Sequence, residues 1–259
     1  MGIGVNVSWV VITQNTPTKN INKMKHIKSL LLIAMAISVF TSCRKVVGEG
    51  PVITQERITG PYEGLEIHIP ANVDYTEAEE YKITIEGQSN IINHIETGVS
   101  DNRLKIKFNK DNIFTFSAIK IHISAPQINS LVLSGSGSLN ILTSFHPVNL
   151  NIVVSGSGSI NMNKIITNDI EATVSGSGNI KSVSGTANNE KLTISGSGTI
   201  NLLEVKAISA STQSSGSGTM KVQPSTSLDA KISGSGNVYY KGNPIVTTTI
   251  SGSGNVIKL

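Results

Sequence analysis

The chain has 259 residues, one Cys, one Trp and a formal charge of +4. Lys19, Lys23, Lys25 and Lys28 all precede Cys43 with no acid among them, so setting those four aside leaves 17 basic residues against 17 acidic ones. A neutral body with no Arg from Ser134 onward lacks the clustered cations that displace phosphate counterions, which excludes a nucleic-acid partner.

From Met24 the sequence reads Met-Lys-His-Ile-Lys, then an apolar run from Leu30 to Phe40, then Thr41-Ser42-Cys43. A charged segment, a short apolar segment and a small residue before Cys make a lipoprotein signal peptide. The run is too short for the roughly 20 apolar residues that cross a bilayer, so cleavage before Cys43 is expected rather than a transmembrane anchor. The freed Cys43 would carry acyl chains, each buried methylene adding about 0.8 kcal/mol of membrane affinity, and two or more chains anchor stably. Residues 1–42 are therefore an upstream extension plus signal peptide, with Met24 the expected start, because the first 23 residues carry no charge before Lys19. Residues 43–51 read as a linker behind the lipid.

Residues 52–130 show strand-like alternation in Leu65-Ile67-Ile69, Tyr81-Ile83-Ile85, Leu104-Ile106-Phe108 and Ile119-Ile121-Ile123, with a short helix expected within 90–96. Exposed sheet edges invite aggregation, and this β-rich segment is placed to cap the repetitive part of the chain.

From residue 131 a repeat dominates. Ser-Gly-Ser-Gly begins at Ser134, Ser155, Ser175, Ser195, Ser215, Ser233 and Ser251, at intervals of 21, 20, 20, 20, 18 and 18. A flexible linker would not carry apolar flanks such as Leu131-Val132-Leu133 and Leu139-Asn140-Ile141. Alternation aligned on the motif puts Leu131 and Leu133, then both glycines, then Leu139 and Ile141 on one inward parity. The same holds for Ile152, Val154, Ile160 and Met162 in the next copy. The other parity shows Ser, Ser and Ser, Asn or Thr outward. The structural positions are Gly135 and Gly137, Gly156 and Gly158, Gly176 and Gly178, Gly196 and Gly198, Gly216 and Gly218, Gly234 and Gly236, and Gly252 and Gly254. They predict a narrow corner through which only glycine passes. One repeat buries too few side chains to stand alone, whereas parallel stacking at about 4.8 Å per rung builds a continuous core. The expected fold is all-β: a parallel β-solenoid of seven rungs over residues 131–259. Stretches between motifs, such as Thr143 to Val148 and Ser184 to Asn189, read as loops or a further side. The fifth rung, with Thr212 and Ser214 in place of an apolar pair, should be the softest.

The runs Leu-Ser-Gly-Ser-Gly-Ser-Leu, Val-Ser-Gly-Ser-Gly-Ser-Ile and Val-Ser-Gly-Ser-Gly-Asn-Ile resemble the head GIN domain family of auto-transporter adhesins, found mainly as lipoproteins of Bacteroidetes-type bacteria. Pro61-Tyr62-Glu63-Gly64-Leu65, Val73-Asp74-Tyr75 and Ile83-Thr84-Ile85-Glu86-Gly87 resemble that family's lead-in, so the likeness covers roughly residues 52–259. It implies the fold and an adhesin-like role and assigns no binding residues. An auto-transporter would need a C-terminal membrane barrel, whereas the sequence stops eight residues after Ser251; lipoprotein export to the outer membrane is the route expected instead.

Catalytic chemistry is poorly supplied. Beyond Ser134 the acids are Asp169, Glu171, Glu190, Glu204 and Asp229, none recurring in register. Asp169 and Glu171 can share a face, but in a loop-like stretch they read as a solvated pair rather than as the acid and base of a glycosidase. Calcium solenoids set Asp beside Gly in each turn, where this chain has Ser, Asn and Thr. His68, His94, His122 and His146 lack ligand spacing, so no metal and no cofactor is expected. Repeated Ser without a base is architecture. Tyr239 and Tyr240 are the one candidate aromatic platform for a sugar, one ring facing out and the other in.

These readings give a non-catalytic cell-envelope lipoprotein of the outer membrane, adhesin-like, that contacts glycan or a surface protein. The alternatives are a polysaccharide-acting β-helix enzyme, warranted by fold analogy alone, and a hydroxyl array that orders water or ice. Weak homodimerisation is expected through the seventh rung, whose edge is guarded by Lys258 alone.

Overall fold

The computed structural model describes residues 45–109 and 113–259; the segment expected to be a signal peptide and Cys43 lie outside them. Alternating aliphatic side chains favour a pleated, half-buried strand, and each Ser-Gly-Ser-Gly joins two such strands. Ser130–Gly135 runs into Ser138–Phe145, and Asn149–Gly156 into Ser159–Ile166. Successive coils pair in parallel, residue for residue. Leu133 stands beside Val154, Val154 beside Val174 and Val174 beside Ile194 on the leading side. On the trailing side Leu139, Ile160, Ile180, Ile200, Met220 and Val238 form one row, all buried. Each fully buried Leu, Ile or Val contributes about 1.5–3 kcal/mol, and stacking alone makes that burial complete.

In the middle coils the chain stays in strand between motifs, so that Asn179–Gly196 and Thr199–Gly216 each run for 18 residues. Ser184 to Asn189 is thus a third side, with Thr186 beside Lys206 and Ala187 beside Ala207. The shortening of the repeat from 20 to 18 residues is absorbed there, where the register with Thr219–Gly234 shifts between Asn201 and Lys206 and again between Ala207 and Ser209. Asp169 and Glu171 likewise lie on a strand, Asp169–Gly176, rather than in a loop.

The corner separates two tasks that alternation alone merges. The second glycine of each motif faces inward and is buried, but the first is exposed or half-buried. That first glycine makes the bend: φ is +106° at Gly135, +113° at Gly176 and +131° at Gly234, a region costly for any side chain. The second is fixed by packing, since a Cβ on Gly158 would lie 2.8 Å from a Leu133 methyl and 2.9 Å from the Gly137 carbonyl oxygen. Inward parity therefore breaks at the first glycine and resumes at the second.

Parallel stacking begins before the repeat. Gly64–Ile67 pairs with the strand before the first motif, and Asn72–Glu77 with the strand after it. This motif-free coil turns through His68 to Ala71, whose carbonyl accepts from the amide of Ser138 at 2.9 Å. Arg103–Phe108 and Lys120–Ala125 add one more parallel layer. Antiparallel strands then close that end: Lys82–Gln88 on Lys120–Ala125, Val52–Arg57 on Lys82–Gln88, and Ile95–Ser100 on Arg103–Phe108. Within residues 52–130, then, the antiparallel strands cover the end, whereas Gly64–Ile67, Asn72–Glu77, Arg103–Phe108 and Lys120–Ala125 continue the parallel stack. The short helix is Ser89–Ile92, and the Arg57 guanidinium donates to the carbonyls of Ile92 and Ile95 beside it.

Candidate binding groove

Along the solenoid, the residues that open each leading strand line a groove. Two concavities of about 660 and 600 Å³ share Asp169 and Glu171 and so form one channel, from Glu63 and Asn129 at the capped end to Ile245 and Thr247. It crosses the seven coils that contain Asn129, Asn149, Asp169, Asn189, Ser209, Ser227 and Ile245. At about 4.8 Å per coil that is roughly 29 Å.

Register turns single polar residues into ladders. Asp169 accepts from Asn189 Nδ2 at 2.7 Å, and Asn189 Oδ1 accepts from Ser209 Oγ at 2.7 Å. Asn149 Nδ2, in the amide orientation that satisfies its neighbours, donates to Asp169 Oδ2 at 3.0 Å. In the parallel row Lys191 Nζ meets Glu171 Oε1 at 2.8 Å. Asn129 donates to Glu63 at the capped end. The groove wall therefore offers amide, hydroxyl and carboxylate groups at the coil spacing. Its acids outnumber its bases: Glu63, Asp169, Glu171, Glu190 and Asp229 against Lys191.

Glu190 stands apart. It occupies the inward row Leu150, Ile170, Glu190, Ala210, Leu228 and Val246. It is 2% exposed, and neither carboxylate oxygen has a hydrogen-bond partner. Loss of water around the charged form pushes its pKa up to about 8. Sequence reasoning groups Glu190 with scattered acids, yet a signal is present: it lies five residues before Ser195, in the parity of Leu192 and Ile194. On the next coil Thr212 and Ser214 are also buried with unpartnered hydroxyls, each costing about 1–3 kcal/mol.

Tyr239 and Tyr240 take opposite faces of Asn237–Tyr240, outside this groove. Tyr240 packs against the edge of the core, while Lys221 Nζ lies 5.8 Å from the centre of the Tyr239 ring. The histidines are dispersed: His68 meets Glu66, His122 lies near Asp74 and His146 near Glu77. Among the described residues no group of three or more His, Cys, Asp or Glu is placed to hold a metal ion. Asp169 and Glu171 do share the groove face, each engaged with a residue of the next coil, Asn189 and Lys191 respectively.

A parallel solenoid with glycine corners, antiparallel strands across one end and a lateral groove defines the class. The chain belongs to the family described as putative auto-transporter adhesin, head GIN domain, whose pattern matches residues 61–244. Solved structures share the fold. A putative adhesin from Bacteroides fragilis matches with a TM-score of 0.77 at 24% identity, covering 83% of this chain and 100% of that one. A putative lipid binding protein from Parabacteroides distasonis matches at 0.69 and 23%, with coverage of 83% and 100%. A putative adhesin from Parabacteroides merdae matches at 0.68 and 20%, with coverage of 83% and 99%. No curated protein matches the chain.

Proposed function

We propose that this chain is a lipid-anchored, non-catalytic binding protein of the cell envelope that holds an extended glycan along its lateral groove. The observation that carries this reading is the length and repetition of the groove: about 29 Å across seven coils, with Asn149, Asp169, Asn189 and Ser209 hydrogen-bonded in series at the coil spacing, suits a polymer with repeating hydroxyls better than a compact ligand. The adhesin names of its relatives support a surface-binding role, and the amides and carboxylates of Asn149, Asp169, Glu171 and Asn189 along the rim can pair with sugar hydroxyls. Acylation of Cys43 supplies attachment to the outer membrane in this reading.

Catalysis on the same polymer is the second reading, favoured only by the position of Asp169 and Glu171 on one groove face. A general acid and a base must both be free to reach the scissile bond, whereas Asp169 already accepts from Asn189 at 2.7 Å and Glu171 from Lys191 at 2.8 Å. The test is a glycan array probed with the detergent-solubilised full chain and with Asn189→Arg, which sets a bulky cation across the groove. Glycans retained by the wild type and lost by the variant support the proposal, and equal retention overturns it. Reducing ends released from a retained glycan would establish the enzymatic reading instead.

A further inference from the structure

The chain between Cys43 and the fold is short and firmly held. Residues 45–51, expected from the sequence to be a linker behind the lipid, are part of the structure. Lys45–Val47 is a strand paired with Ile113–Thr115, and the Gly48 amide extends that pairing to the Thr115 carbonyl at 2.7 Å. Asn90, on the short helix, clamps the next turn: its Nδ2 donates to the Val47 carbonyl at 2.8 Å, and its Oδ1 accepts from the Glu49 amide at 2.9 Å. The Ser89 amide donates to the Pro51 carbonyl at 3.1 Å. Only Arg44 separates Cys43 from this fixed segment. Two peptide steps reach at most about 7 Å, no more than the roughly 5–8 Å of headgroup layer on each side of a bilayer core. An acylated Cys43 would therefore bring the capped end onto the lipid with no slack to hold it off.

What that end presents suits such a contact. Val52–Arg57 is its edge strand, paired with Lys82–Gln88 on one side, and its first four residues, Val52 to Gln55, carry no charge. Val52 and Ile53 are exposed, as is Val47 on the strand that follows the anchor. Gln88 joins the two strands: it pairs with Val52, packs against Gly48 and accepts from the Ser117 amide at 3.0 Å. Farther along the edge, Glu56 and Lys82 neutralise one another at 2.7 Å. Arg44 and Lys45 directly follow Cys43, where cations meet lipid phosphate. We infer that the capped end of the solenoid docks on the bilayer that holds its own acyl chains, with Val47, Val52 and Ile53 in the headgroup layer. The inference rests on acylation of Cys43 in the proposed reading. Its consequence is orientation. Eight parallel pairings lead from Lys120–Ala125 to Asn255–Lys258, about 38 Å at the coil spacing. The groove thus begins beside the membrane at Glu63 and leads away from it to Ile245.

The test uses the full acylated chain with one added cysteine at a time: Val47→Cys, Val52→Cys, Ile53→Cys, Ile208→Cys or Ser253→Cys. All five positions are exposed, so a label at any of them leaves the core intact, and the acylated thiol of Cys43 takes none. Each variant is labelled with a nitrobenzoxadiazole dye and reconstituted in vesicles of phosphatidylethanolamine and phosphatidylglycerol that carry a spin label near the top of the acyl chain. Quenching should be strong at Val47, Val52 and Ile53 and fall to background at Ile208, on the wall of the stack, and at Ser253, on the last coil. Mass spectrometry of the same samples reads the acyl chains. Acylated protein that is unquenched at the capped end, or quenched as strongly at Ile208 or Ser253, overturns the docking and leaves the lipid anchor standing. Protein without acyl mass overturns both.

Discussion

The amide of Ser177 donates to the carbonyl of Gly156 at 2.9 Å, and the same bond recurs from Ser157 to Gly135, Ser197 to Gly176 and Ser217 to Gly196. This ladder holds only if the first glycine of every motif keeps its positive φ. Gly176→Val should therefore destabilise the fold by about 1–3 kcal/mol through backbone strain. Its Cβ would also stand 2.7 Å from the Gly156 carbonyl oxygen. Gly178→Val should cost a similar amount, about 1–3 kcal/mol, by overpacking against Val154 and the Gly158 carbonyl. Ser175→Ala, exposed at the corner, should be nearly neutral. Chemical denaturation of the three variants checks the ranking; equal midpoints would show that neither glycine is structural.

Glu190 sets a pH dependence whose sign follows from its burial. Its pKa in the fold is raised to about 8 from an ordinary 4.5. Below 4.5 the group is protonated in both states and costs nothing by titration. Between about 4.5 and 8 the unfolded chain ionises while the folded chain does not, so stability falls as pH rises, levelling above about 8. The loss is on the order of a few kcal/mol. Glu190→Leu, which matches Leu150 and Leu228 in the row, should melt higher than wild type at pH 8.5 and differ less at pH 4.5. Thermal melts across that range check it, and a wild-type-to-variant difference independent of pH would contradict the burial argument.

The solenoid is legible in the sequence because its signal is periodic: seven motifs in fixed phase with Leu, Ile and Val leave one way to stack. The functions of the two glycines are not separable there, since parity alone cannot distinguish a bend from a tight contact. Only the positive φ of the first and the close carbonyl neighbours of the second divide them. The coil at Gly64 to Glu77 carries no repeat signal because His68-Ile69-Pro70-Ala71 turns the corner without the motif. The groove is hidden for a different reason. Asp169, Asn189 and Ser209 are 20 residues apart in sequence and become a ladder only in register, whereas Tyr239 and Tyr240 stand out merely by being adjacent.

In the proposed reading, membrane attachment depends on acylation of Cys43. The wild-type chain should fractionate with outer membranes and carry acyl chains by mass spectrometry, and Cys43→Ser should release it into the soluble fraction, because two or more chains give stable anchoring. A variant still bound to membrane, beside a wild type without acyl mass, would end the lipoprotein reading.

The last coil should join two copies weakly. Ile250 is 44% exposed, whereas Ile232, its partner on the preceding coil, is 2% exposed; Ile245, at 78%, and Ile257 are exposed as well. Along Ile245–Gly252 and Asn255–Lys258, each strand pairs with an inner coil on one side. Their outer rows of backbone donors and acceptors resemble the edges that recruit another strand. Lys258 donates to Asn243 at 2.6 Å and so guards only one corner. A second copy meeting this face about a two-fold axis would set Ile245–Gly252 against itself in antiparallel pairing and cover the exposed isoleucines. Val256, half-buried at the same end, is where a charge would be least tolerated in such a contact. Sedimentation over a hundredfold range of concentration should show a dimer forming at the upper end for the wild type and none for Val256→Lys; a monomer throughout, or a dimer indifferent to the lysine, would place any association elsewhere on the molecule.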